Sequence, residues 1–149
     1  FFEKLIPKTI SLSMNKKSIP VYGKGDSIRD WIFVEDHCKA IMLVIKNGIC
    51  GETYNISAIN EINNLQIVNN ILKIVGGSQE LIKFVASRPG EDTRYSLDST
   101  KIREELGWKP EVTFEEGIKK TIEWYKSNEN YGIDTGNKVF SETPWKNKD

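Results

Sequence analysis

Short segments with β-strand character alternate with amphipathic helical segments along this chain, and glycine or proline separates most of them. The clearest helix follows Asn64, a residue type that caps helices, and ends at Gly76-Gly77. Its apolar stripe recurs at i, i+3, i+7 and i+10 and consists of Leu65, Val68, Leu72 and Val75. Residues 81–85 follow as a mostly apolar segment short enough to be a strand. Such alternation predicts a mixed α/β fold.

The same signals divide most of the chain into short elements. They predict helices over residues 3–14, 35–46, 65–75 and 99–106 and from 114 onward, and extended segments over 20–22, 31–34, 53–56, 81–85 and 95–97. Asp98 is expected to cap the fourth helix, and Thr113 with Glu116 fits a capping box for the last. From residue 132 the sequence is polar and aperiodic. We therefore expect one domain over 1–131 and a loose tail over 132–149.

Composition argues against several classes of protein. The 149 residues carry 21 Lys and Arg against 21 Asp and Glu, and this zero net charge argues against a nucleic-acid-binding protein. No apolar run approaches the roughly 20 residues that span a bilayer, so we expect no membrane association. No secretory signal is recognisable, and two cysteines with one histidine and no CxxC suit a reduced, cytoplasmic protein without a metal site.

Two arginines beside turn signals are candidates for binding an anion. Arg29 follows the glycine-rich residues 23–26, and Arg88 precedes Pro89-Gly90 after a predicted strand. A guanidinium group matches two phosphate oxygens at once, and loops after strands commonly carry ligands in α/β proteins. The alternatives are a surface contact between Arg29 and Asp30 and an ordinary turn at Arg88.

The remaining sequence features give weaker evidence of a function. Asn55 lies in a predicted strand, where its amide can bind a base or a sugar or be satisfied by neighbouring backbone. Gly23-x-Gly25 is not a dinucleotide fingerprint, because Ile28 occupies the position of the third glycine. The sequence contains no phosphate-binding loop, no nucleophile elbow and no acid–base pair at helical spacing. The residues alone therefore indicate a domain with two anion-binding arginines and no evident catalytic machinery.

Six sequence blocks occur in one order along residues 3 to about 130. They are Glu3-Lys4-Leu5-Ile6-Pro7, residues 20–31 from Pro20 to Trp31, Val34-Glu35-Asp36-His37, residues 51–56 (Gly-Glu-Thr-Tyr-Asn-Ile), Arg88-Pro89-Gly90 with Asp92 and Arg94-Tyr95, and residues 105–110 (Glu-Leu-Gly-Trp-Lys-Pro). In this order they resemble the C-terminal part of the extended short-chain dehydrogenase/reductase family of nucleotide-sugar enzymes. The block that ends at Arg29-Asp30-Trp31, together with Glu123-Trp124-Tyr125, favours the family's dTDP-sugar dehydratases over its epimerases and decarboxylases.

The resemblance implies an NAD-dependent lyase for a longer protein of which this chain is a piece. Such an enzyme oxidises the hexose at C4, eliminates water across C5–C6 and returns the hydride to C6. NAD and the catalytic Tyr, Lys, Asp and Glu belong to the N-terminal Rossmann half, so the resemblance implies that this chain binds no NAD and is inactive alone. It also implies a homodimer for the whole enzyme and the C-terminal, substrate-binding lobe for this chain.

The resemblance further implies which residues bind the nucleotide sugar. They are Lys4, Leu5, Pro20, Val21, Tyr22, Arg29, Asn55, Arg88, Pro89, Gly90 and Glu91. Arg29 and Arg88 are expected to bind the diphosphate, with Asn55 hydrogen-bonding nearby. Glu91 departs from the histidine that the dehydratases usually have there, and Ser87 replaces a frequent aspartate. A carboxylate beside a diphosphate is unfavourable unless it faces away or meets sugar hydroxyls, so lobes of UDP- or GDP-sugar enzymes and a stand-alone binding module remain alternatives.

Overall fold

The structure is a computed structural model, and it describes residues 3–128. Within these residues the chain forms two compact units: unit 1 comprises 3–27, 63–93 and 120–128, and unit 2 comprises 28–62 and 94–119. The predicted tail over 132–149 lies outside the described residues, and the domain extent of 1–131 stays a prediction.

The described residues fold into the mixed α/β structure that the alternation predicts. The helices are α1 (Leu5–Met14), α2 (Val34–Asn47), α3 (Asn64–Val75), α4 (Thr100–Leu106) and α5 (Phe114–Ser127). The strands are β1 (Ile19–Tyr22), β2 (Ile28–Asp30), β3 (Glu61–Asn63), β4 (Ile82–Val85) and β5 (Arg94–Tyr95). Over residues 3–128, no helix has the length and hydropathy needed to cross a membrane.

Unit 1 is built on a parallel pair of strands, β1 and β4, in which Ile19 pairs with Ile82 and Tyr22 with Val85. Apolar residues of α1, β1 and α3 form its core, namely Leu12, Ile19, Val21, Val68 and Leu72, with Leu5, Leu81 and Ile82 packed against them. The cap of α3 is Asn63 rather than Asn64: its side chain accepts from the Gln66 amide at 2.8 Å, and the Gln66 side chain accepts from the Asn63 amide at 3.1 Å.

Unit 2 contains a three-stranded sheet in the order β3-β2-β5, with β2 and β5 parallel. Its core consists of Ala40, Ile102 and Trp108, with Ile32, Leu43, Val44, Tyr54, Ile56 and Leu106 packed against it. The predicted capping box of α5 is confirmed, because Thr113 Oγ1 accepts from the Glu116 amide at 3.3 Å and Glu116 Oε2 accepts from the Thr113 amide at 3.1 Å.

Two predicted strands differ from the structure. The strand expected over 31–34 lies earlier, at β2, and α2 already begins at Val34. Residues 53–56 are not in a strand. Their side chains still alternate as in a strand, because Tyr54 and Ile56 are half-buried on the core of unit 2 whereas Thr53 and Asn55 are exposed. A strand also needs a neighbouring strand, and residues 3–128 provide none for this segment.

Candidate functional site

The carboxyl ends of two parallel strands meet in unit 1. Tyr22, the last residue of β1, pairs with Val85, the last residue of β4, and the Gly23 amide donates to the Val85 carbonyl at 2.9 Å. The chain leaves β4 through Ser87 and Arg88. Ligands of open α/β sheets bind outside the carboxyl ends of strands, so this is the edge at which a ligand is expected.

Arg88, Pro89, Gly90 and Glu91 form one tight turn at this edge. The Glu91 amide donates to the Arg88 carbonyl at 3.3 Å, and Gly90 has a φ of +70°. Proline followed by a residue with positive φ is the signature of a type II turn, which explains the Pro-Gly pair. The Arg88 side chain is exposed, and the Glu91 side chain is half-buried. The turn therefore carries a cation and an anion, three residues apart, next to the end of β4.

Tyr22 lies within the electrostatic reach of both charges. Partial burial raises the pKa of its phenol, the positive charge of Arg88 lowers it, and the negative charge of Glu91 raises it, so that the net direction is upward. Tyr22 is consequently a neutral hydrogen-bond donor at physiological pH. The structure thus brings together three of the predicted site residues, Tyr22, Arg88 and Glu91.

The other predicted site residues of unit 1 differ in their exposure to solvent. Val21 is 2% exposed and belongs to the core, and Pro20 is also buried. Leu5 packs against the same core, whereas Lys4 is exposed at the start of α1, 3.9 Å from the carboxylate of Glu3. Any contact of Val21 with a ligand would therefore come from its backbone, while the Lys4 ammonium is accessible to an anion.

The Gly23-Lys24-Gly25 turn is filled by its own neighbours. A side chain at Gly25 would have its Cβ 2.7 Å from Val21 Cγ1 and 2.9 Å from Leu65 Cβ. Its amide donates to the Tyr22 carbonyl at 2.9 Å, and its carbonyl accepts from the Leu65 amide at the same distance. The close approach of β1 and α3 thus explains why a glycine stands at position 25.

In unit 2, Arg29 lies on the central strand β2. Its guanidinium is 5.4 Å from the centre of the Tyr95 ring, and Nη1 donates to the Ile28 carbonyl at 2.7 Å. The planar group is thereby oriented, and within residues 3–128 it makes no other hydrogen bond. An oriented guanidinium with free N–H groups is suited to binding phosphate. Asn55, also in unit 2, is exposed and has no hydrogen-bond partner among the described residues.

Asp30 has a role that the sequence did not reveal. Instead of contacting Arg29, its carboxylate accepts from Ser57 Oγ at 2.5 Å, from the Ala58 amide at 3.2 Å and from the Ile59 amide at 2.9 Å. Ile59 has a φ of +56°, which is unfavourable for a β-branched residue. Asp30 therefore holds a strained loop against β2. Its place beside Arg29 was visible in the sequence, but its partners 27 to 29 residues away were not.

No group of three or more His, Cys, Asp or Glu residues suited to a metal ion occurs within the described part of the chain. Both cysteines are exposed free thiols.

Comparison with known proteins gives related enzymes. The chain is 49% identical over 138 residues to dTDP-glucose 4,6-dehydratase of Escherichia coli, which covers 88% of this chain and 38% of that protein. It is 43% identical over 148 residues to a probable dTDP-glucose 4,6-dehydratase of Sinorhizobium fredii, covering 95% and 42%. The chain thus spans about two fifths of the length of these relatives, and the matched region is their C-terminal part.

Solved structures of related enzymes also superpose on this chain. The dTDP-glucose 4,6-dehydratase of Bacillus anthracis, crystallised with NAD, superposes with a TM-score of 0.83 at 39% identity, over 88% of this chain and 42% of that one. UDP-glucose 4-epimerase of Thermotoga maritima, crystallised with UDP-glucose, superposes with a TM-score of 0.79 at 27% identity, over 84% and 40%. A family model described as GDP-mannose 4,6 dehydratase matches residues 1–121. The chain therefore belongs to the GDP-mannose 4,6 dehydratase family of nucleotide-sugar enzymes.

Proposed function

We propose that this chain binds the nucleotide diphosphate of a dTDP-sugar as the substrate-binding part of a dTDP-glucose 4,6-dehydratase. The observation that carries the proposal is the turn from Arg88 to Glu91 beside Tyr22, at the carboxyl ends of two parallel strands. The names of the relatives at 43–49% identity support the choice of reaction. The whole enzyme would convert dTDP-glucose into dTDP-4-keto-6-deoxyglucose.

The polar and charged contacts use side chains that are exposed or half-buried in their own unit. Arg88 supplies positive charge to the diphosphate, and the neutral phenol of Tyr22 donates a hydrogen bond. Glu91 is proposed to accept hydrogen bonds from sugar hydroxyls. Arg29 stays a proposed diphosphate ligand because Tyr95 orients it and its remaining N–H groups make no hydrogen bond to the described residues. The remaining proposed contacts are Lys4, Leu5, Pro20, Val21, Asn55, Pro89 and Gly90.

The cofactor is proposed to bind elsewhere in the whole enzyme. The Bacillus anthracis relative was crystallised with NAD, and NAD supplies the hydride chemistry of the proposed reaction. The turn over residues 23–25 lacks the third glycine of a dinucleotide fingerprint, because Ile28 stands there, and we therefore propose that no residue of this chain holds NAD. We also propose that the whole enzyme is a cytoplasmic homodimer that binds neither nucleic acid nor membranes.

Calorimetric and thermal-shift titrations with dTDP, UDP and GDP test the proposal. We expect the chain to bind dTDP most tightly, and Arg88→Ala and Arg29→Ala each to weaken binding by about 10- to 100-fold, the usual effect of losing a charged hydrogen bond. Lys73→Ala is the control, because it removes an exposed positive charge from α3. A preference for UDP or GDP would favour an epimerase or decarboxylase. A folded chain that binds none of the three nucleotides would contradict the proposal.

A further inference from the structure

The two charged side chains of the turn from Arg88 to Glu91 have no ionic partners among the described residues. Within residues 3–128 neither the guanidinium of Arg88 nor the carboxylate of Glu91 forms an ion pair. Glu91 is nevertheless half-buried, so part of its hydration is removed. The hydrogen bond that closes the turn is made by the backbone and does not need this charge. The carboxylate is therefore available to act on a molecule that binds at this edge of the sheet.

The geometry of the turn places Glu91 close to Arg88. The Glu91 amide donates to the Arg88 carbonyl at 3.3 Å, and the first and last Cα atoms of such a turn lie within about 7 Å of each other. Burial raises the pKa of the Tyr22 phenol most, but the charge of Arg88 also lowers it and that of Glu91 raises it, so both charges lie near one hydroxyl. An anion bound by Arg88 and Tyr22 is consequently within reach of the Glu91 carboxylate, which repels it.

Free dTDP and a dTDP-sugar differ in the charge of the terminal phosphate. In dTDP this phosphate is a monoester with a second pKa of about 6, so it carries nearly two negative charges at about pH 7.5. In a dTDP-sugar the same phosphate is esterified to the hexose and carries one charge. An arginine alone favours the more highly charged ligand, because its attraction grows with the charge. The Glu91 carboxylate opposes this preference, and it can accept hydrogen bonds from hexose hydroxyls that dTDP lacks.

We propose that Glu91 is a specificity-determining residue, which shifts the preference of this site from free dTDP towards dTDP-sugars. The inference rests on the proposed function, because it requires the diphosphate to bind beside Arg88. The carboxylate opposes one charge more in dTDP than in the sugar ester, and it offers hydrogen-bond acceptors that only the ester can use. Both effects favour the ester. Free dTDP, which has the same base and deoxyribose as the substrate, thereby competes less well for the site.

Calorimetric titration of the chain and of Glu91→Gln with three ligands tests this proposal. The ligands are dTDP, dTDP-glucose and the β-methyl ester of dTDP, which has the charge of a sugar ester but no hexose hydroxyls. The affinity of the variant should rise at least about fivefold more for dTDP than for the methyl ester, the effect of one unit charge near a partly exposed carboxylate. The rise should be smallest for dTDP-glucose, because a neutral amide accepts weaker hydrogen bonds from hydroxyls than a carboxylate does. A misfolded variant cannot produce a gain in affinity.

Glu80→Gln is the matched control, because it makes the same chemical change at an exposed residue of unit 1. Glu80 precedes β4, and the four residues of that strand span about 13 Å, which exceeds the screening length of about 8 Å at 0.15 M ionic strength. The control should change each affinity by less than about twofold. Equal gains of Glu91→Gln for dTDP and the methyl ester would overturn the role of Glu91 and leave the proposed function intact. A wild-type chain that binds none of the three ligands would overturn both.

Discussion

At Gly25 the backbone combines a φ of +71° with a close approach to two side chains. A Cβ at this position would lie 2.7 Å from Val21 Cγ1 and 2.9 Å from Leu65 Cβ, so an alanine would have to displace the core side of β1 or α3. At Gly51, with a φ of +85°, no atom lies within 4 Å of such a Cβ. The two glycines have similar backbone conformations but differ in the space around them.

This difference yields a prediction for two single substitutions. Gly51→Ala should lower the free energy of unfolding by about 1–2 kcal/mol, the cost of a side chain in the left-handed region. Gly25→Ala should lower it by roughly 2–5 kcal/mol, because overpacking adds to that cost. Urea denaturation of both variants and the wild type measures the two values. Equal losses would show that the crowding at Gly25 relaxes without cost.

At the scale of single residues, the sequence identified candidate charged residues and turns, but it did not identify the residues that they contact. Arg29 and the turn that begins at Arg88 stood out because their local sequence is informative. The contacts of Asp30 did not, because its partners at Ser57, Ala58 and Ile59 become neighbours only when the chain folds. Long-range contacts of this kind have no local sequence signal.

Among the secondary-structure elements, the helices were predicted closely and the strands less so. Helical periodicity and caps are local, and all five predicted helices occur in residues 3–128 with ends shifted by a few residues. Strands depend on neighbours, and this explains both discrepancies. β2, with the sequence Ile-Arg-Asp, has little strand character of its own and forms between β3 and β5. Residues 53–56 have that character but pair with no strand within residues 3–128.

The sheet of unit 2 is also held by an ion pair that links its outer strands. Arg94 of β5 donates to Glu61 of β3 through Nε at 2.7 Å and through Nη2 at 2.6 Å. These hydrogen bonds, followed by one from Ser96, lower the pKa of the Glu61 carboxyl. A carboxyl whose pKa is lower in the folded state stabilises the fold above its unfolded-state pKa. That stabilisation is lost as the pH falls through the folded-state value.

We therefore expect Glu61→Gln to lower the melting temperature at pH 7 and to have a progressively smaller effect as the pH falls from about 5 towards 3. The absolute effect should be small, because the pair is exposed to solvent. Thermal melts of wild type, Glu61→Gln and the exposed control Glu115→Gln across this pH range provide the measurement. A difference between wild type and Glu61→Gln that is the same at every pH would rule out the ion pair as its cause.

For the whole molecule, the residues that we propose to contact the ligand carry groups suited to binding and orienting it. Tyr22, Arg88 and Glu91 converge at one sheet edge, and Arg29 is oriented on β2. Each of these groups can hold phosphate or hydroxyl oxygens. In the relatives, the larger part of the polypeptide lies outside the region that this chain matches. Binding and turnover are thus expected to be separable properties.

This separation leads to a prediction about activity. Incubated alone with NAD and dTDP-glucose, the chain should form no keto sugar, while dTDP still raises its melting temperature. Adding the preceding part of the Escherichia coli dehydratase should restore turnover if the catalytic groups lie in that part. Arg88→Ala should then lower both turnover in the mixture and dTDP binding by the chain alone, because Arg88 belongs to the proposed nucleotide site. Keto-sugar formation by the chain alone, assayed by its absorbance in alkali, would instead place the catalytic residues within these 149 residues.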